Sequence, residues 1–162
     1  MGTTKSTGPD PSGVRDARPQ DLPRLLQLEA LFPCDRLAPR QFRRHLASPR
    51  ARLRVALRDG VIVAYALTLL RRGSARARLY SIAVEPAARG LGLGAQLLDD
   101  AMRQAAAAGC EWLRLEVRED NAAAIALYQR LGFVEFGCKP GYYEDGATAL
   151  RFERAIGVGA SA

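Results

Sequence analysis

Residues 89–94 read Arg-Gly-Leu-Gly-Leu-Gly and sit at the mouth of an amphipathic helical pattern that runs to Ala108. Glycine weakens helix and strand interiors, so three of them here mark a tight turn or a place where something approaches the backbone closely. The free N–H groups of a first helical turn and the positive end of its dipole make such a place an anion site. Gly90, Gly92 and Gly94 carry no side chain to obstruct it. Spacing excludes two familiar phosphate loops. A P-loop requires Gly-Lys-Ser/Thr where this chain has Gly94-Ala95-Gln96, and the Rossmann fingerprint is one residue longer than Gly-x-Gly-x-Gly. Glu116 stands where a ribose-binding acid would in a dinucleotide fold, but the chain supplies too few parallel β-α units for one. Metal chemistry lacks a ligand set: Cys34, Cys110 and Cys138 are far apart, no C-x-x-C occurs, and His45 is the single histidine.

The elements around the loop follow from local pattern. "VRDAR" is a short strand. Asp21 is placed to cap a helix with Pro23 in its first turn and an apolar stripe of Leu22, Leu25, Leu26, Leu28 and Leu31. A second short helix starts at Pro39. Two β-rich runs flank Asp59-Gly60, the strongest short hairpin signal. "RARLYSIAVE" is a strand ended by Pro86. Beyond the glycine helix, with Gly109 as its C-cap, "EWLRLEVRE" alternates with period two. Asn121 caps a further helix closed by Gly132, and "FVEFG" and "TALRFERA" are strands around the loop "CKPGYYEDGA". The order predicts a mixed α/β sheet, mostly antiparallel, with one parallel β-α-β unit over 76–118. Residues 1–12 and 157–162 read as tails and 13–156 as a single domain.

At 162 residues and 48% hydrophobic, the chain can bury a core. Its 24 Lys+Arg against 17 Asp+Glu give a net charge of +7, which favours anionic partners. Nearly all the basic residues are arginine, only Lys5 and Lys139 being lysine, so genome composition is an equally good reason for the surplus. No RNA-recognition signature or helix-turn-helix accompanies it, so nucleic acid is disfavoured. The first residues lack the apolar segment of a signal peptide, and Ser6 after Met1-Gly2 matches a myristoylation motif only by coincidence of a Gly/Ser/Thr-rich stretch. No run reaches transmembrane length. These readings predict a soluble, cytoplasmic protein without a membrane partner, and they leave monomer and homodimer open.

Arg89-x-x-Gly92-x-Gly94 resembles the acyl-CoA pyrophosphate loop of the GNAT N-acetyltransferases. "LYSIAVEP" before the loop is similar to that family's central strand, and "LRLEVREDNAAAIALYQRLGFVEFG" to its second conserved half. The resemblance is strong over 76–145 and loose before it. Its closest group acetylates the N-terminal alanine of a ribosomal protein. It implies a GNAT fold with a splayed parallel strand pair, acetyl-CoA as cosubstrate, no metal, and acetyl transfer to a primary amine. It implies that Arg89, Gly90, Leu91, Gly92, Leu93, Gly94 and Ala95 hold the pyrophosphate. The backbone of Ile82, Ala83 and Val84 would hold the pantetheine arm, with help from Asn121. Glu116 would take the amine's proton, directly or through water, and Tyr128 would protonate the departing thiolate, a step suited to a phenol. Tyr142 and Tyr143 would border the acceptor.

Each role has a plainer counterpart. Glu116 could form an ion pair with Arg114 or Arg118; Tyr128 could be a core tyrosine; Asn121 could be only a helix cap, since one side chain does not easily serve both ends. Relatives acting on ribosomal protein tend to carry Phe-Pro-Trp where this chain has Phe32-Pro33-Cys34. The acceptor therefore stays open between a protein or peptide N-terminus and a small amine such as a polyamine, amino acid or antibiotic. A noncatalytic acyl-CoA-binding module is the remaining alternative, against which the presence of both Glu116 and Tyr128 argues.

Overall fold

The computed structural model describes residues 13–32 and 36–157. Among these residues, seven strands form one sheet in the order β1-β2-β3-β4-β5-β7-β6. They are β1 (Val14–Asp16), β2 (Ala51–Arg58), β3 (Val61–Leu69), β4 (Arg76–Val84), β5 (Trp112–Arg118), β6 (Val134–Lys139) and β7 (Ala149–Ala155). Four helices flank it: α1 (Leu22–Glu29), α2 (Pro39–Ala47), α3 (Leu93–Ala107) and α4 (Ala122–Arg130). Every strand pairing is antiparallel except β4 with β5. The expected hairpin turn forms with positive φ at both Asp59 (51°) and Gly60 (77°), the twist that matches two antiparallel strands. No helix among the described residues is long and apolar enough to cross a membrane.

The sheet is covered on both faces. On one, Leu97, Leu98 and Ala101 of α3 and Tyr128 of α4 pack on Leu113, Leu115 and Val117 of β5 and Phe152 of β7. On the other, Leu25 and Leu28 of α1 and Phe42 of α2 pack on Val55, Tyr65 and Leu67. Arg54 of β2 crosses toward α3 and meets Asp100 in two bonds of 2.9 and 3.0 Å, with Asp16 at 3.0 Å. Asp21 does not cap α1 as expected. Its carboxylate turns back to accept the Arg18 N–H at 2.7 Å and the Arg15 guanidinium at 2.8 and 3.1 Å, bracing the preceding 3₁₀ turn instead.

One irregularity shapes the middle of the sheet. Leu67 pairs with Ser81 but Thr68 pairs with Leu79, so Tyr80 is an extra residue, a β-bulge in β4. Before it, Ala77 and Leu79 face the α3 side; after it, Ile82 and Val84 do. The parallel pairing of β4 with β5 runs from Arg76–Trp112 to Leu79–Leu115 and ends there, at the bulge. Beyond that point β4 stays with β3 and β5 stays with β7, leaving a gap between them.

Candidate active site

Two cavities meet at this gap. One, of about 290 Å³, is lined on the helix side by Asn121, Ala124 and Tyr128. The other, of about 380 Å³, is lined by Arg36, Leu37 and Gln41 from the α2 approach and by Tyr142 and Glu144. They share Tyr80, Ser81, Glu116 and Tyr143. The bulge is what places Tyr80 and Ser81 together at the opening. Glu85 N–H donates to Val63 O at 2.8 Å. By the alternation of an antiparallel ladder, the polar backbone groups of Ala83 also face β3, and those of Ile82 and Val84 face the gap. The expectation for three consecutive residues thus narrows to two; Ala83 contributes a buried methyl to the core under α1.

The glycine loop leads into α3. Gly90 (φ 82°) and Gly92 (φ 76°) hold left-handed conformations, and open space lies where a side chain would start. Gly92 is the N-cap, and no side chain caps the helix, so the first-turn amides of Leu93, Gly94 and Ala95 point outward unpaired by helix geometry. Arg89 and Leu91 are exposed beside them. Gly94 differs from the sequence reading. Its φ is ordinary, and a Cβ there would come within 3.2 Å of Leu127 Cδ2, so its glycine lets α3 approach α4.

Glu116 carries the site's charge. Its side chain is only 8% exposed, with Arg78 Nε at 3.0 Å, Lys139 Nζ at 3.4 Å and Arg151 Nε at 3.7 Å. The expected partners are elsewhere: Arg114 pairs with Glu153, and Arg118 with Asp120 and Asp145. Residues two apart on a strand stand roughly 7 Å apart, whereas side chains from adjacent strands meet directly. Arg78 also donates to the Tyr142 hydroxyl at 2.6 Å, and Tyr142 stacks edge-on against Tyr143 with centroids 5.0 Å apart. Tyr128 is 5% exposed, with Phe133 and Phe152 around its ring. Burial, and then the neighbouring Tyr143, push its phenol well above the ordinary range, so it holds its proton. Asn121 caps α4, its Oδ1 accepting the Ala124 N–H at 3.2 Å, and the residue also lines the cavity with two amide N–H donors on its other side-chain atom.

Cys34 and the tail before residue 13 lie outside the described residues. Sequence reasoning missed Arg78, Lys139, Arg151 and Ser81. The bulge did leave a trace, because the large aliphatic residues of "ARLYSIAV" fall at 79, 82 and 84, a step of three where a regular strand would step by two.

Comparison with known proteins places this architecture. The model of the acetyltransferase (GNAT) family matches residues 20–133. The N-alpha-acetyltransferase RimI of Mycobacterium tuberculosis is 38% identical over 142 residues, spanning 85% of this chain and 88% of that protein. The [ribosomal protein bS18]-alanine N-acetyltransferase of Salmonella typhimurium is 41% identical over 98 residues, 60% of this chain and 63% of its own. The crystal structure of the ribosomal-protein-S18-alanine N-acetyltransferase from Escherichia coli superposes with a TM-score of 0.80 at 31% identity, covering 89% of this chain and 93% of that one. The seven-stranded sheet with its single parallel pair, the glycine loop at the start of α3 and these matches make the chain a member of the GNAT family and an N-acetyltransferase.

Proposed function

We propose that this enzyme takes acetyl-CoA as donor and passes the acetyl group to the α-amine of a protein or peptide N-terminus, by direct attack of the amine on the thioester. The observation that carries this reading is the pair of cavities joined at Glu116 and Ser81. Two reactants entering from opposite faces of the sheet would meet there without a covalent enzyme intermediate. The residues fit the donor. The amides of 90–95 and Arg89 offer a phosphate cradle, Ile82 and Val84 offer open backbone groups to an amide-bearing arm, and Asn121 adds a donor. Tyr128 faces the same cavity and is the proton source for the thiolate as the carbon–sulfur bond breaks. Glu116 has its oxygens engaged by Arg78 and Lys139, so we assign it to orienting the incoming amine by accepting an N–H hydrogen bond on a remaining lone pair. The relatives named for ribosomal-protein alanine support an N-terminal acceptor.

The test is a thiol-release assay with acetyl-CoA against peptides starting with alanine and other residues, and against polyamines and free amino acids. Turnover with peptides is expected. Preference for a small amine would replace the acceptor class, and cofactor binding without transfer to any amine would favour a noncatalytic module.

A further inference from the structure

Between the cleft and the core under α1 runs a line of hydroxyls that ends on a buried carboxylate. Ser81 lines both cavities. Its Oγ is 2.8 Å from the Tyr65 hydroxyl. Tyr65 is fully buried and its hydroxyl donates in turn to Glu29 Oε1. Glu29, at the end of α1, is 6% exposed, and its other oxygen accepts the Leu37 N–H at 2.7 Å. No cation stands against Glu29 among the bonds and ion pairs of the described residues, in contrast to the three around Glu116. The directions are set by valence. A phenol has one proton; Tyr65 gives it to Glu29, so Ser81 must donate to Tyr65, and the lone pairs of Ser81 are left for the cleft.

We propose that Ser81, Tyr65 and Glu29 form a proton relay that carries the acceptor amine's excess proton away from the reacting centre. The proposal rests on the amine-acetylation reading above. An ammonium loses two protons on becoming an amide. One replaces the proton that Tyr128 gives to the leaving sulfur, and the other needs an acceptor. In the relay the amine N–H proton passes to Ser81 Oγ, the Ser81 proton to Tyr65 Oη, and the Tyr65 proton to Glu29 Oε1. Meanwhile the nitrogen bonds to the acetyl carbon and the carbon–sulfur bond breaks. When product leaves, the chain runs backward and returns the proton to water in the cleft. Tyr65 never becomes an anion, which suits its burial: desolvation and the Glu29 charge hold its phenol far above the ordinary range.

The geometry supplies a substitution that separates relay from scaffold. In Glu29→Gln the amide oxygen still accepts the Leu37 N–H, and the amide N–H₂ donates to Tyr65, which then donates to Ser81. Every group stays bonded, yet nothing at the end can take a proton. We expect Glu29→Gln to lower kcat about 10²-fold or more with the acceptor KM little changed. Ser81→Ala and Tyr65→Phe should do the same, and the Glu29→Gln/Ser81→Ala pair should be no worse than either alone. Ser81→Thr, which keeps the hydroxyl, should restore most of the rate. A proton inventory in mixed light and heavy water should be curved for the native enzyme, as several protons move in one step, and linear for Glu29→Gln. A folded Glu29→Gln enzyme with native kcat and an unchanged inventory would overturn the relay. Absence of acetyl transfer by the native enzyme would instead overturn the activity on which it rests.

Discussion

Two side chains at the gap differ by what surrounds them, and their variants should differ accordingly. Tyr128 is packed among aromatic rings, so Tyr128→Phe keeps the packing and removes only the hydroxyl proposed as the proton source. Turnover should fall roughly 10²–10⁴-fold with acetyl-CoA affinity unchanged, checked by steady-state kinetics beside direct binding. Glu116→Gln removes the carboxylate proposed to orient the acceptor amine. The acceptor KM should rise about tenfold while kcat holds. A fall in kcat that recovers above the ordinary amine pKa, near 8, would make Glu116 the base instead, because free amine then becomes abundant. At this scale legibility depends on sequence distance. The glycine loop could be read because its chemistry is local: a turn, then a helix start. The environment of Glu116 could not, since Arg78 lies 38 residues away and Lys139 23, on strands whose register no local pattern specifies. Ser81 is likewise tied to Tyr65 16 residues away and through it to Glu29, and only the assembled sheet brings them together.

Among the elements, the helix that opens on the glycines and the bulged strand beside it together frame the proposed donor side. Gly92 caps α3 in a left-handed conformation that asparagine and aspartate tolerate better than other side chains. Gly92→Asn and Gly92→Asp therefore share shape and differ by one charge. If phosphate sits on these amides, the aspartate variant should bind acetyl-CoA at least tenfold more weakly than the asparagine variant, by calorimetry at low salt. Equal affinities would remove the phosphate from this place. Gly94 is the wrong site for such a test, since any side chain there presses on Leu127. Helices, the hairpin and the parallel pair were legible because capping residues, Asp59-Gly60 and period-two runs each act over a few residues. The α1 start was not, because Asp21 had a choice of N–H partners and took the one behind it, with Arg15 as a second bond.

For the molecule as a whole, the anchor between the first strands and α3 is the Arg54–Asp100 pair, whose side chains are only 10% and 3% exposed. Asp100→Ala would strip a buried guanidinium of the carboxylate that accepts two of its hydrogen bonds. It should destabilise the fold by about 3 kcal/mol, or roughly 10 °C in Tm, by calorimetric melting. Replacing Arg54 and Asp100 together with apolar residues should recover most of that loss. The four residue pairs that seam β4 to β5 have a consequence for how the molecule exchanges protons with water. Amides at the centre of a seven-stranded sheet ordinarily open only when the whole protein unfolds. Those of Ile82 and Val84 are central in the strand order yet have no neighbouring strand to donate to. In deuterated water they should exchange orders of magnitude faster than Ala83 between them, and acetyl-CoA should slow them selectively. The fast–slow–fast signature along three consecutive residues would report an empty or filled donor slot without any acceptor being known.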